Sequence, residues 1–152
     1  MKKLNFISIV VALYILLFSY TAVSKFLDYE LFVFQMKLAP LPLMPTIAPL
    51  IGILLPLVEF ALCILLLKDR WQVLALKSSL ILMTIFEIYI VAMLFTGKEL
   101  PCTCGGIIST MGWKQHLLFN CLFIMIGILA IYFQKNSISY KIADRSKDFL
   151  RA

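Results

Sequence analysis

The chain has 152 residues, of which 62% are hydrophobic and only 14% charged, with a formal net charge of +6. A single soluble domain of that length cannot hide so much apolar surface, so lipid must cover part of it. The basic residues fall at the ends of apolar segments rather than along one aromatic-studded face, which speaks against a nucleic-acid partner.

Four stretches match the roughly 20 apolar residues that cross a bilayer. They cover about 4–24, 47–67, 71–95 and 114–133. The fold expected is all-α: a polytopic four-helix membrane bundle spanning 1–134, followed by a basic tail over 135–152. Met1-Lys2-Lys3 and Ala22-Val23-Ser24 also fit the two ends of a signal peptide. The apolar run between them exceeds the ~7–15 residues of such a signal, and it is read as a retained helix. The first connection, "KFLDYELFVFQMKLAPLPLMPT", is apolar but broken by Pro40, Pro42 and Pro45. Asp28 is placed to cap a short helix through Met36 that lies in the interface. The prolines then return the chain to the second span. Lys68-Asp69-Arg70 forms the second joint. A cysteine-bearing loop forms the third, and no internal repeat is visible.

Basic residues set the orientation. With the N-terminus inside, the cytoplasmic side collects Lys2, Lys3, Lys68, Arg70, Lys135, Lys141, Arg145, Lys147 and Arg151; the other side has Lys25, Lys37, Lys98 and Lys114. Nine against four places both termini in the cytoplasm, and the cysteine loop and the proline-rich connection on the outer face.

Carboxylates within a span face the bundle interior or become protonated. Glu59 and Glu87 fall at similar depth on antiparallel neighbours. They form either register-fixing contacts or a proton-handling, ligand-lining pair. Gly52, Pro56, Glu59 and Cys63 make one stripe of the second span, and Thr84 and Glu87 share a face of the third. Thr21, Lys25 and Asp28 are spaced for an interfacial salt bridge at the outer end of the first span, where Lys25 could also favour a thiolate. His116 and Asn120 share a face at the outer end of the fourth. Cys63 and Cys121, inside spans, read as inert packing residues.

The turn Cys102-Thr103-Cys104-Gly105-Gly106 carries the chemistry. A disulfide wants Cα atoms about 4.4–6.8 Å apart, and an extended i, i+2 pair lies at the edge of that window. A bridge here would be strained and easily reduced, which suits exchange. Three readings stay open: an incidental turn, a redox pair, or a metal site built from Cys102, Cys104 and His116. The second Cys-x-x-Cys that would make a zinc site strong is missing. No motif specifies a cofactor. The cofactor is left unknown, with a quinone as one candidate.

The stretches "SYTAVSKFLDYELF" and "APLPLMPTIAPLIGILLPLVEFALCILLL", with the "CTCGG" turn before the last span, resemble the DoxX-like superfamily and, more closely, its MauE (methylamine utilisation protein E) branch. The resemblance covers about residues 4–133. It implies disulfide or electron traffic on the outer face of the bacterial cytoplasmic membrane. The partner would be a periplasmic thioredoxin-like or redox protein whose maturation the chain supports. Lys25, Glu59, Cys102 and Cys104 match the family's motif positions. The second outer-face cysteine pair of DsbB-type oxidases is missing, which argues against a complete quinone-linked oxidase in this chain alone. The alternatives are a metal or small-molecule carrier and a non-catalytic assembly factor.

Overall fold

The computed structural model describes residues 2–39, 42–95 and 113–151. Five helices follow in chain order: α1 (Lys2–Leu27), α2 (Tyr29–Lys37), α3 (Met44–Leu66), α4 (Gln72–Phe95) and α5 (Trp113–Arg151). Four segments are long and apolar enough to cross a membrane: Phe6–Leu27, Met44–Leu66, Gln72–Phe95 and Lys114–Gln134. Large apolar side chains, including Leu16, Leu50, Ile81 and Leu118, lie exposed on the outside of all four. Such a surface belongs against lipid. The chain is a multi-pass membrane protein with a polytopic helical bundle.

Cross-helix contacts fix the topology. Lys25 meets Glu59 and Ser19 meets Cys63, so α1 and α3 run antiparallel. Tyr14 bonds the backbone of Phe123 and Phe6 packs on Phe133, which makes α1 and α5 antiparallel too. Phe86 against His116, and Leu80 against Gly127, pair α4 with α5 in the same sense. Ala39, just past α2, packs with Met44 of α3 and Met93 of α4, so the end of α2, the start of α3, the end of α4 and the start of α5 share one end of the bundle, here called the loop end. The tight α3–α4 turn, held by the Lys68 amide on Leu65 O and the Trp71 amide on Lys68 O, marks the opposite or hairpin end. Packing is closest within two pairs, α1 with α3 and α4 with α5, and sparser between them.

The segment after the first span behaves as a continuation of α1. Hydrogen bonds from the Asp28 amide to Ser24 O and from the Phe32 amide to Asp28 O carry the helical pattern across the junction. Asp28 stands at the N-cap of α2 as expected, but its side chain makes no capping bond. Helix α2 then runs along the first half of α3. Phe32, Val33 and Gln35 are buried, and the Tyr29 hydroxyl donates to Pro49 O at 3.2 Å. Gly52 permits this approach, since a Cβ there would lie 2.6 Å from Val33 Cγ2 and 2.9 Å from Tyr29 Cε2.

Helix α3 starts at Met44, three residues earlier than hydropathy indicates. Pro45 stands in its first turn, where a missing amide costs nothing. Pro49 and Pro56 lie inside the helix, and Gly52, Pro56, Glu59 and Cys63 form the expected inward stripe. Helix α5 is longer than its span. At about 1.5 Å per residue, its 39 residues extend roughly 58 Å, well beyond a bilayer core of about 30 Å. No proline or glycine follows Gly127 to stop it, and the basic segment 135–151 continues as helix.

Candidate functional site

Between the two helix pairs, on the loop side of the layer formed by Tyr14, Leu66 and Leu76, lies a partly open cavity of about 50 Å³. At roughly 10–15 Å³ per water position, that is room for about three to five waters. Aliphatic and aromatic side chains make up most of the wall: Leu17 and Phe18 from α1, Leu55 from α3, Leu82, Met83 and Phe86 from α4, and Phe119 from α5. Into this apolar wall the sequence inserts five polar groups: Thr21, Lys25, Glu59, His116 and Asn120.

The centre is a buried ion pair. Lys25 Nζ lies 2.7 Å from Glu59 Oε1, and the two residues are only 3% and 5% exposed. Lys25 also points toward Thr21 O at 3.5 Å, while its ammonium is 6.0 Å from the centre of the Phe32 ring. The sequence suggested Asp28 as the partner of Lys25. The structure gives Glu59 instead, because α2 prolongs α1 past Lys25 and leaves that residue beside the middle of α3 rather than at a water-exposed helix end. Each charge makes the other tolerable in a low-dielectric interior.

The ion pair leaves hydrogen-bonding capacity unused. Glu59 Oε2 has no hydrogen-bond partner among the described residues, and the same holds for both ring nitrogens of His116. His116 is 3% exposed and meets the Phe86 ring edge-on at 5.9 Å between centroids. Asn120, one turn further along the same face of α5, is 5% exposed. A buried imidazole with both nitrogens unbonded is costly, because each has lost its water without gaining a partner. The Thr21 hydroxyl donates to Phe18 O at 3.3 Å.

The other sequence candidates separate. Glu87 does not join Glu59: Cys121 Sγ donates to Glu87 Oε1 at 3.2 Å. Cys63, buried beside α1, lies 3.5 Å from Ser19 Oγ and 3.7 Å from Ile15 O. Both cysteines are free thiols. Cys102 and Cys104 lie outside the described residues, so the structure brings together Lys25, Glu59 and His116 among the expected site residues. Connectivity alone relates the cysteines to the cavity: residues 96–112 join α4 to α5 at the loop end, and His116 is in the first turn of α5. In the sequence, Thr21 and Asn120 stand out only for sharing faces with Lys25 and His116. The buried, inward position of both faces makes them part of the cavity wall.

A four-span helical membrane protein with a buried lysine–glutamate pair lining an interhelical cavity is the class that fold and site define. The family model described as Methylamine utilisation protein MauE matches residues 3–133. The chain belongs to that family. No curated protein and no solved structure matches it.

Proposed function

We propose that this chain is a thiol–disulfide redox protein of the bacterial cytoplasmic membrane, with both termini in the cytoplasm and Cys102 and Cys104 on the outer face. The pair exchanges a disulfide with a periplasmic thioredoxin-like or redox partner and so supports that partner's maturation. In the oxidising direction, a partner thiolate attacks the Cys102–Cys104 disulfide and forms a mixed disulfide, releasing one cysteine as thiolate. The partner's second thiol then displaces the other cysteine. The partner gains a disulfide, and the chain is left as a dithiol. The family's description, methylamine utilisation, gives the process that such an exchange would serve.

The observation that carries this reading is the position of the Cys-Thr-Cys-Gly-Gly turn. In the sequence it falls in the connection that leads from α4 into α5, whose first turn carries His116 of the polar cavity. The charge bias supports the orientation. Removing the buried Lys25 from the outer count leaves nine basic residues against three, namely Lys37, Lys98 and Lys114.

The test is alkylation of native membranes with and without prior reduction, followed by peptide mass spectrometry. Cys102 and Cys104 are expected to label as a pair only after reductant, and with membrane-impermeant reagents applied from outside. Full labelling of both without reductant, or labelling only from the cytoplasmic side, overturns the reading.

A further inference from the structure

The cavity between the helix pairs has the chemistry of a ligand site rather than of a packing fault. Its walls are largely apolar and aromatic, and it is partly open, so a ligand that partitions into lipid can reach it. Its polar groups are concentrated around a fixed ion pair. Both nitrogens of His116 and Glu59 Oε2 are unpartnered among the described residues, and both residues are more than nine-tenths buried. A neutral imidazole offers one N–H donor and one acceptor, Asn120 offers both kinds, and Glu59 Oε2 only accepts. Together they can hydrogen-bond a carbonyl oxygen, and equally the hydroxyl that replaces it on reduction.

We infer that this cavity binds the head of a membrane quinone, with His116, Asn120 and the Lys25–Glu59 pair at the ring oxygen and Phe86 and Phe119 against the ring. The space of about 50 Å³ takes the oxygen-bearing edge of such a ring and not a whole prenylated molecule, so the remainder leaves through the open side. A carboxylic lipid fits less well, because its charge would compete with Glu59 for the one buried cation in the cavity wall. The role of this ligand rests on the redox reading above. A quinone takes up two electrons and two protons to become a quinol, which balances the conversion of a dithiol to a disulfide. Lacking the second cysteine pair of DsbB-type relays, the chain would pass them from Cys102 and Cys104 directly or through the partner's thiols. Binding itself depends only on the cavity.

The test uses the purified full chain in detergent micelles, with decylubiquinone as the binding probe and an azido-quinone for photolabelling. Saturable binding is expected, with label recovered on peptides containing residues 82–86 or 116–120. His116→Leu removes hydrogen bonds at the ring oxygen and is expected to weaken binding about tenfold or more. Leu82→Trp fills the cavity from a half-buried wall position without touching a polar group, and should do the same. Lys77→Gln, on an exposed face of α4, should bind as the wild type does. Non-saturable partitioning, or binding unchanged in both His116→Leu and Leu82→Trp, overturns the inference. The Cys102→Ser, Cys104→Ser double variant should bind normally. Quinone binding alongside permanently reduced cysteines would support this site and sink the redox pair; thiol cycling without quinone binding would do the reverse.

Discussion

The two halves of the bundle solve the problem of burial in opposite ways. Toward the hairpin end, Tyr14, Leu66, Leu76 and Ala130 are completely enclosed, and Val10 and Ala75 nearly so. Of the hydroxyls there, Tyr14 donates to Phe123 O at 2.8 Å, while that of fully buried Ser79 has no hydrogen-bond partner among the described residues. Toward the loop end, the same four spanning helices enclose a charge pair, an imidazole without a hydrogen-bond partner among the described residues, and a cavity. A bundle held only by close packing would have no use for the second arrangement. In lipid, helix association depends on close fit and on hydrogen bonds, not on water exclusion. The hairpin half meets that requirement through close fit and the Tyr14 bond, with Ser79 the one small polar exception, which leaves the loop half free to carry the charges and the imidazole.

The ion pair gives the largest test of this division. Lys25→Ala leaves Glu59 as a buried carboxylate without its cation, and should destabilise the bundle by about 3–5 kcal/mol. Denaturant titration in micelles, followed by circular dichroism, would measure it. The double variant Lys25→Met, Glu59→Leu removes both charges and fills their volume. It should recover most of that loss, because a buried pair is often replaceable by well-packed apolar groups. Recovery of stability together with lost quinone binding would show that the pair is retained for ligand chemistry. A double variant as unstable as the single one would instead make the pair a structural staple, and the contrast between the halves would disappear.

Close packing in the hairpin half gives the next effect. A Cβ at Gly127 would strike the Tyr14 hydroxyl and stand 2.7 Å from Leu80 Cδ2. Gly127→Ala should therefore cost about 1–3 kcal/mol, the usual range for overpacking, although alanine is the better helix former. A thermal-unfolding series in micelles would check this. A neutral or stabilising result would mean that the hairpin half has slack of its own.

Much of this architecture could be read from the amino acids, and the exceptions share one cause. Span number and limits follow from length and hydropathy, and the buried stripe of α3 follows from the 3.6-residue period linking Gly52, Pro56, Glu59 and Cys63. The shared face of His116 and Asn120 was legible for the same reason. The partner of Lys25 was not, because it depends on axial registry between helices. Hydropathy ends the first span near Ser24, yet hydrogen bonds continue the helix through Asp28 into α2. That extra length slides Lys25 to the level of Glu59. Glu59 and Glu87, matched in depth by counting residues, diverge because they project to different neighbours, one toward α1 and the other toward Cys121 on α5. A signal was present in the isolated opposite charges of two antiparallel apolar segments. One-dimensional periodicity gives a face and a depth, but not which of the adjoining helices that face meets.

The smallest effect is also the most discriminating, because it asks whether Tyr14 and Gly127 act as one unit. Tyr14→Phe removes the bond to Phe123 O, but that carbonyl lies within α5 and keeps its own helical partner. The expected loss is about 0.5–1.5 kcal/mol. The hydroxyl is also the atom that a Cβ at Gly127 would strike, so Gly127→Ala should be less damaging in the Tyr14→Phe background than in the wild type. A double-mutant cycle should give a coupling of at least about 0.5 kcal/mol, as for residues in direct contact. Only part of the clash is relieved, because Leu80 Cδ2 remains close. It is the end of a flexible side chain, however, and can turn away at lower cost than a ring clamped between α1 and α5. Strict additivity would mean that α1 and α5 shift apart to admit the methyl group. The hairpin half would then yield as the loop half does, and the difference between them would be one of composition rather than rigidity.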